Sequence, residues 1–370
     1  MEIIVKSGVL KKECEKLEEV LPVKPSITIT GGILFDVKEM GCFLTATDLE
    51  STIRLNIECE KIKKGSAVVN GKTFISLIKQ LPDGDIKISK KNNSVDVICG
   101  DAKYTFPSMD EEEFPKLQKF SGDITIKLGS NILREGIDKV RFCIDREEPR
   151  PYFRGGLLDI KENTVNIVGT DTKRLTLFTI KTDQKYSHPY KCLLPYKLMG
   201  IITSLSNDND QPIEISIGKN QISFNFKTTY LLSQLLSGSE EFPDYTKVIP
   251  TEKQLKRVYI NRESLLTILK RISLFTTERY NRVRLSIGKN TLILSVANPD
   301  VGDASEKIDI EYNEDTEQNL AFPPNYLIDF LSKLEDAKLV FGFISEKNPV
   351  LLRGEKTEGY LYVAMPLKLE

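Results

Sequence analysis

The sequence predicts an α+β protein of three similar domains, each with two amphipathic helices packed on an antiparallel sheet. Three observations predict it. Apolar residues recur at helical spacing in six short segments that form two sets of three. Between these segments apolar and polar residues alternate, the period of a half-buried strand. Short strings also return at matching points of successive thirds of the chain. Glu112-Glu113-Phe114-Pro115 recurs as Glu240-Glu241-Phe242-Pro243, and Thr45-Ala46-Thr47-Asp48 recurs loosely as Val168-Gly169-Thr170-Asp171. Boundaries near Gly122 and Thr251 divide the 370 residues into domains 1–122, 123–251 and 252–370.

The first helix set spans Ser7 to Leu21, Gly129 to Ile144 and Asn261 to Phe275. Its stripes are Leu10, Cys14, Leu17 and Leu21; Leu133, Ile137, Val140 and Ile144; and Leu265, Ile268, Leu269, Ile272 and Phe275. The second set spans Lys72 to Leu81, Tyr196 to Leu205 and Pro324 to Leu334, with Pro195 and Pro323-Pro324 at helix starts, where a missing N–H costs nothing. Alternation marks strands at 53–57, 86–88, 124–128, 165–168, 213–226, 283–296 and 339–344. Asp83-Gly84, Lys91-Asn92-Asn93 and Gly218-Lys219-Asn220 supply turns. Each domain thus offers two one-faced helices and a sheet to bury them against.

Composition narrows the function. Apolar residues at 40% and charged residues at 28% describe a folded chain without a disorder signature. No apolar run is long enough for a membrane span, and the start of the chain lacks the features of a signal peptide, so a cytoplasmic protein is expected. The six cysteines are too scattered for a metal site and read as buried, reduced thiols. The one histidine, His188, precedes Pro189 in a polar loop and leaves little room for imidazole chemistry. The balance of 52 basic and 53 acidic residues, net −1, argues against adhesion to nucleic acid by bulk charge. The six helices nevertheless carry a basic excess that the rest of the chain offsets. That pattern suits either ordinary solvated faces or one shared face that meets phosphate.

Enzymatic motifs fail one by one. Asn70-Gly71-Lys72-Thr73 joins a strand to a helix, but position 66 is Ser where a phosphate-binding loop needs Gly, so the loop is too short. Gly31-Gly32 and Gly155-Gly156 are isolated pairs, and no nucleophile elbow occurs. Asp208-Asn209-Asp210 reads as a turn and not a calcium loop. Asp48 and Asp171 could be offered as metal carboxylates of a nuclease, yet they occupy equivalent places in separate repeats, so turn and capping roles are expected. No catalytic residue, metal or cofactor is expected.

Three strings then carry a resemblance: Gly169-Thr170-Asp171-Thr172-Lys173-Arg174-Leu175; Phe242-Pro243-Asp244-Tyr245-Thr246-Lys247-Val248-Ile249-Pro250; and Tyr362-Val363-Ala364-Met365-Pro366-Leu367-Lys368-Leu369. With the threefold repeat, and over the whole chain in order, the sequence resembles the bacterial beta sliding clamp family, the beta subunit of DNA polymerase III. The resemblance implies a DNA-clamp fold assembled as a head-to-tail dimeric ring around double-stranded DNA. It also implies a pocket for a short peptide of the replicative DNA polymerase, the clamp loader and other proteins with a clamp-binding motif.

Carried over residue by residue, that pocket comprises Thr170, Thr172, Lys173, Arg174, Leu175, Pro243, Lys247, Val248, Tyr326, Val363, Met365, Pro366 and Leu367. DNA-facing positions are Lys24, Lys72, Lys79, Arg150, Tyr152 and Lys197, with the segment 146–154 as a strand-contacting loop. The homodimer interface falls to Tyr104 and Phe106 against Leu274 and Phe275. Thr172-Lys173, Pro323, Lys368 and Glu370 depart from the family pattern and bear on peptide preference. Two other classes share the repeats or the carboxylates: a scaffold that never encircles DNA, distinguished by a monomeric native mass, and a metal-dependent nuclease, distinguished by turnover.

Overall fold

The computed structural model describes residues 1–117, 120–206, 211–315 and 317–369. The turn expected at Asp208-Asn209-Asp210 lies outside the described residues. Among the described residues six α-helices follow strands, five directly and α6 after Pro323: α1 Ser7–Glu18, α2 Gly71–Gln80, α3 Ser130–Val140, α4 Tyr196–Leu205, α5 Arg262–Ile272 and α6 Pro324–Lys333. The string that imitates a phosphate loop is the capped start of α2, where the Asn70 side chain accepts from the Thr73 N–H at 3.0 Å. Asn261 caps α5 in the same way, accepting from the Ser264 N–H at 2.9 Å. α1 stops before the expected Leu21 because Pro22 disfavours helical backbone at the residue before it. α3 and α5 also stop early, each running into a 3₁₀ turn, Arg141–Cys143 and Ser273–Phe275.

The chain forms two compact units. The first comprises Met1–Arg134 and Lys197–Leu235; the second comprises Glu135–Tyr196 and Leu236–Glu370. The middle third of the sequence is therefore shared between them.

The first unit holds a five-stranded antiparallel sheet in the order Glu60–Lys63, Glu2–Lys6, Asp85–Lys91, Ser94–Cys99, Ala102–Pro107. Its eight-stranded sheet runs Ile124–Gly129, Pro212–Ile217, Gln221–Asn225, Thr229–Gln234, Ser51–Ile57, Gly41–Thr47, Gly32–Lys38, Gly65–Asn70. Strands from the first and middle thirds join where Thr229–Gln234 pairs with Ser51–Ile57, Ser233 opposite Ser51. The stripe residues Leu10, Cys14, Leu17, Phe74, Ile75 and Ile78 are buried, and Phe35 meets Phe74 edge-on at 5.3 Å.

The second unit repeats the plan. Its eight-stranded sheet runs Tyr190–Pro195, Gly155–Lys161, Thr164–Thr170, Arg174–Lys181, Tyr360–Ala364, Val350–Gly354, Lys338–Phe343, Lys256–Asn261. A four-stranded sheet runs Gly302–Asp309, Thr291–Asn298, Val283–Gly288, Gln318–Phe322. The alternation at 283–296 is thus a hairpin, turned at Asn290 with φ 53°. Phe330 of α6 stacks on Tyr362 at 4.9 Å and packs on Tyr360 at 5.1 Å. All six cysteines are free thiols. Five are buried as expected, whereas Cys59, just past the end of a strand, is only half-buried.

Candidate functional site

The site grows from the middle of the second unit's long sheet. Strand Arg174–Lys181 pairs with Tyr360–Ala364, setting Leu175 opposite Val363 and Arg174 opposite Ala364. The pairing continues past the strand end, where the Met365 N–H donates to the Lys173 carbonyl at 2.9 Å. Met365 therefore sits beside the turn that precedes Arg174.

That turn is tightly specified. The Thr170 hydroxyl accepts from the Thr172 N–H at 3.0 Å and donates to the Arg174 carbonyl at 2.7 Å. Asp171 Oδ1 accepts from the N–H groups of Lys173 and Arg174 at 3.0 and 2.8 Å. These bonds hold Thr172 at φ 74°, a left-handed conformation that a β-branched residue adopts only when its surroundings impose it. Asp171 thus has the turn role expected from the sequence. Arg174 closes the turn and ties it to three elements. Its Nε donates to Asp171 Oδ2 at 2.8 Å, Nη1 to Asp329 Oδ2 of α6 at 2.7 Å, and Nη2 to the Phe142 carbonyl at 3.1 Å. The guanidinium lies 4.5 Å from the Tyr326 ring centre.

Beside the turn is a cavity of about 490 Å³. It brings together Thr170, Thr172, Lys173, Arg174, Leu175, Pro243, Lys247, Val248, Val363 and Met365, all expected there. Tyr326, Pro366 and Leu367 are not among its lining residues. Tyr326 supports Arg174 instead, and the Leu367 N–H donates to the Ala321 carbonyl at 2.7 Å, which draws the tail toward the four-stranded sheet. The lining also includes Arg150, expected instead to face DNA, and Phe153, Phe242, Asp244, Tyr245 and Pro349, which the expected pocket did not contain. Phe242 and Tyr245 stood within the quoted string 242–250, so a signal existed. Phe153 and Pro349 arrive from distant segments and carry no local signal.

The cavity floor is the top of the hydrophobic core. Phe153, Leu175, Phe242, Tyr245 and Val363 are buried in one cluster. Val248 and Met365, by contrast, stand 47% and 40% exposed, apolar surface that a ligand could cover. Tyr245 is fixed from below: its hydroxyl donates to Asp159 Oδ2 at 2.6 Å and accepts from Asn166 Nδ2 at 3.3 Å. Burial, reinforced by the bond to Asp159, pushes its phenol above the ordinary tyrosine range. Asp244 caps the 3₁₀ turn Tyr245–Lys247 by accepting from the Thr246 N–H at 3.2 Å, and it also accepts from the Thr246 hydroxyl at 2.6 Å, a bond that holds its carboxyl below the usual range.

The basic positions are distributed over both units. Lys24, Lys72, Lys79 and Lys197 are exposed on the first. Lys79 is paired with Glu18 of α1, and Lys197 with Asp48. Asp48 Oδ1 also accepts from the N–H groups of Glu50 and Ser51, again the expected turn role. On the second unit, the segment 146–154 is folded onto its own core and is not a free loop. Arg150 donates to Glu148 at 2.6 Å and lies 4.6 Å from the Phe153 ring centre, Tyr152 is half-buried against Phe153, and Arg154 donates to the Glu148 carbonyl at 2.6 Å. The expected interface residues also differ in setting. Phe106 is 8% exposed and packs on Phe74, Tyr104 is exposed, Leu274 is 76% exposed and Phe275 is half-buried. Among the described residues no cluster of three or more His, Cys, Asp or Glu could hold a metal ion, and no helix is long and apolar enough to cross a membrane.

With this geometry in place, comparison with known proteins is direct. The N-terminal, central and C-terminal domains of the family described as DNA polymerase III beta subunit match residues 1–118, 127–244 and 246–368. A beta sliding clamp of Chlamydia pneumoniae is 28% identical over 372 residues, covering 100% of this chain and 99% of that protein. A beta sliding clamp of Staphylococcus aureus is 25% identical over 378 residues, covering 100% and 99%. Among solved structures, the DNA polymerase sliding clamp of Bacillus subtilis has a TM-score of 0.92 at 25% identity, with both chains covered in full. A sliding clamp of Pseudomonas aeruginosa, solved bound to griselimycin, has a TM-score of 0.95 at 23% identity, again with full coverage of both chains.

The Arg174 network yields a stability prediction. Arg174→Met removes the cation shared by Asp171 and Asp329 while keeping much of the packing volume. Because the arginine side chain is only 12% exposed, chemical denaturation should show a loss of about 3 kcal/mol, the low end for breaking a buried pair. A variant as stable as the parent would mean that the network does not hold the turn.

Proposed function

We infer that this chain, which belongs to the DNA polymerase III beta subunit family, is a DNA sliding clamp, a processivity factor that encircles duplex DNA and tethers the replicative polymerase. The observation that carries this reading is the succession of all three family domains, in order, across residues 1–368. The family acts without catalysis, and the chain is not an enzyme. DNA, polymerase and a second copy of the chain are its partners; the clamp loader is a further one, and the cytoplasm its place of action.

Domains 1–122, 123–251 and 252–370 are the three clamp domains. Two protomers close head to tail, Tyr104 and Phe106 of one facing Leu274 and Phe275 of the next. Two open sheet edges support this. Ala102–Pro107, which carries Tyr104 and Phe106, ends the five-stranded sheet, and Gly302–Asp309 ends the four-stranded sheet. Unpaired edges of this length are usually blunted or used for pairing. The 3₁₀ turn bearing Leu274 and Phe275 is tied to the strand next to the second edge, since Asn298 donates to the Phe275 carbonyl at 2.8 Å.

DNA passes along Lys24, Lys72, Lys79, Arg150, Tyr152 and Lys197. Three of these cations already have carboxylate partners, which moderates phosphate contact and leaves the protein able to slide. Polymerase, clamp loader and related partners dock an apolar peptide in the 490 Å³ cavity. The exposed Met365 suits a site that accepts several related sequences, because its side chain repacks easily.

The test of the function is topological. Loaded on circular DNA, the protein should be retained, and linearising the circle should release it. Leu274→Ala/Phe275→Ala should cost roughly 4–6 kcal/mol of core-like contact and abolish retention. A double variant still dimeric at nanomolar concentration in sedimentation would exclude this interface.

Charge reversal probes the DNA path. Lys24, Lys72, Arg150 and Lys197 all changed to Glu should impair loading and weaken DNA contact, with the dimer intact by sedimentation. Residual contact should fall as salt rises. Unchanged DNA retention would refute the assignment.

The pocket predicts a third outcome. Removing residues 366–370 takes away the anchored Leu367 and frees Met365, so the polymerase's docking peptide should no longer bind although the dimer persists. Peptide titration alongside sedimentation checks this, and parental affinity in the truncated dimer would place the docking site elsewhere.

A further inference from the structure

The second unit contains a larger cavity, of about 1030 Å³, bordered by Leu367, Lys368 and Leu369. These residues follow Met365 of the docking pocket by two to four positions, a reach of about 7–14 Å if extended. The floor is one face of the four-stranded sheet. Ser305 lies opposite Ser295, Ser295 opposite Arg284, and Arg284 opposite Ala321, so one row across the sheet carries small side chains and a single guanidinium. The small residues make the hollow, and cations stand around it.

Four basic side chains line this cavity, Arg279, Arg282, Arg284 and Lys368, against the carboxylates Glu278 and Asp303. Arg282 donates to the Lys368 carbonyl at 3.1 Å, which anchors the tail as one wall. Arg284 donates to Asn319 Oδ1 at 3.1 Å, and Arg279 lies 5.3 Å from the Tyr280 ring centre. Among the described residues neither Arg279 nor Arg284 forms an ion pair. Arg257 and Arg271 on the same unit both do, with Glu252 and Glu306. Two guanidiniums lining one hollow, without ion-pair carboxylates of their own, match carboxylates supplied from outside.

We propose that this cavity seats an acidic polypeptide segment of a partner, lying next in sequence to the apolar peptide held in the docking pocket. A peptide fits better than a nucleic acid strand. A peptide can interleave apolar with acidic side chains and so meet Leu367 and Leu369, each 37% exposed, as well as the arginines, which a sugar–phosphate backbone does not. The link to a docked partner rests on the reading of the pocket given above; the cavity's preference for acidic peptide does not.

Fluorescein-labelled octaglutamate, titrated into the full-length protein and followed by anisotropy, tests the cavity alone. Arg279→Ala/Arg284→Ala should weaken it about tenfold, each exposed guanidinium–carboxylate contact contributing about threefold. The same variant should keep the parental unfolding midpoint and the parental affinity for the polymerase's docking peptide. A docking peptide extended by six glutamates should bind the parent more tightly than one extended by six glutamines, and the advantage should vanish in the variant. Octaglutamate binding that is indifferent to the two substitutions would overturn the proposal. So would octathymidylate that binds more tightly than octaglutamate and loses affinity in the variant, since the cavity would then be a nucleic acid site. Octaglutamate binding that responds as expected, in a protein that binds no docking peptide, would support the cavity and overturn only the pocket reading.

Discussion

Much of the second unit depends on one antiparallel pairing, that of Arg174–Lys181 with Tyr360–Ala364. It joins four strands from the middle of the chain to four from its last third, so two half-sheets share one ladder and one core. Because the side-chain period of a strand is two residues, a slip of one position would turn Leu175 and Val363 away from the cavity floor. The register is secured at one end by the turn at Thr170–Arg174 and, within the ladder, by Tyr360 and Tyr362 packed on Phe330. Pocket floor, pocket wall and tail position are all consequences of that single register.

For a clamp, the electrostatics are as informative in their restraint as in their sign. A protein retained by topology needs no tight phosphate contacts, and strong ones would slow its movement. Lys79, Lys197 and Arg150 are each exposed yet each shares its charge with a carboxylate, Glu18, Asp48 and Glu148 respectively. Exposed pairs of this kind contribute little to folding, so a cation held in one can exchange its partner for a passing phosphate at small cost. On the DNA path proposed above, this arrangement suits contact that is frequent and brief.

The helices were legible in the sequence because their signals are local. The stripe Leu265, Ile268, Leu269 and Ile272 is buried as its spacing requires, and Asn261 at its head is the cap. Hairpin turns were legible for the same reason. The two continuous eight-stranded sheets were not, since nothing near Ser51 announces pairing with Ser233, nor anything near Arg174 pairing with Ala364. The site was partly legible by resemblance: Leu175, Val248, Val363 and Met365 gather as expected. Tyr326 did not, because its ring lies beneath Arg174, and Leu367 did not, because its backbone bonds to Ala321. Phe153 and Pro349 were missed because their place in the pocket is set by long-range packing that no spacing rule encodes. At 146–154 composition suggests a free loop, whereas Arg150 and Tyr152 pack against Phe153 and Arg154 donates to the Glu148 carbonyl.

The internal repeat offers a control on what makes the pocket. The first unit contains the same turn at Thr47–Ser51. The Thr47 hydroxyl accepts from the Leu49 N–H at 3.1 Å and donates to the Ser51 carbonyl at 3.0 Å, Asp48 Oδ1 accepts from the N–H groups of Glu50 and Ser51, and Leu49 has φ 77°. The backbone solution is therefore a property of the repeat and not of the pocket. What differs is the residue that closes the turn. Ser51 is a short side chain that meets Ser233 at 2.8 Å across the strand pair and ends there. Arg174 extends beyond the sheet to Asp329 of α6 and the Phe142 carbonyl, gathering a helix and a 3₁₀ turn around the same bend. The repeat supplies a stiff turn in both units. A long, multiply bonded cation at its last position, with Phe242 and Tyr245 placed below, is what converts one of the two into the wall of a cavity.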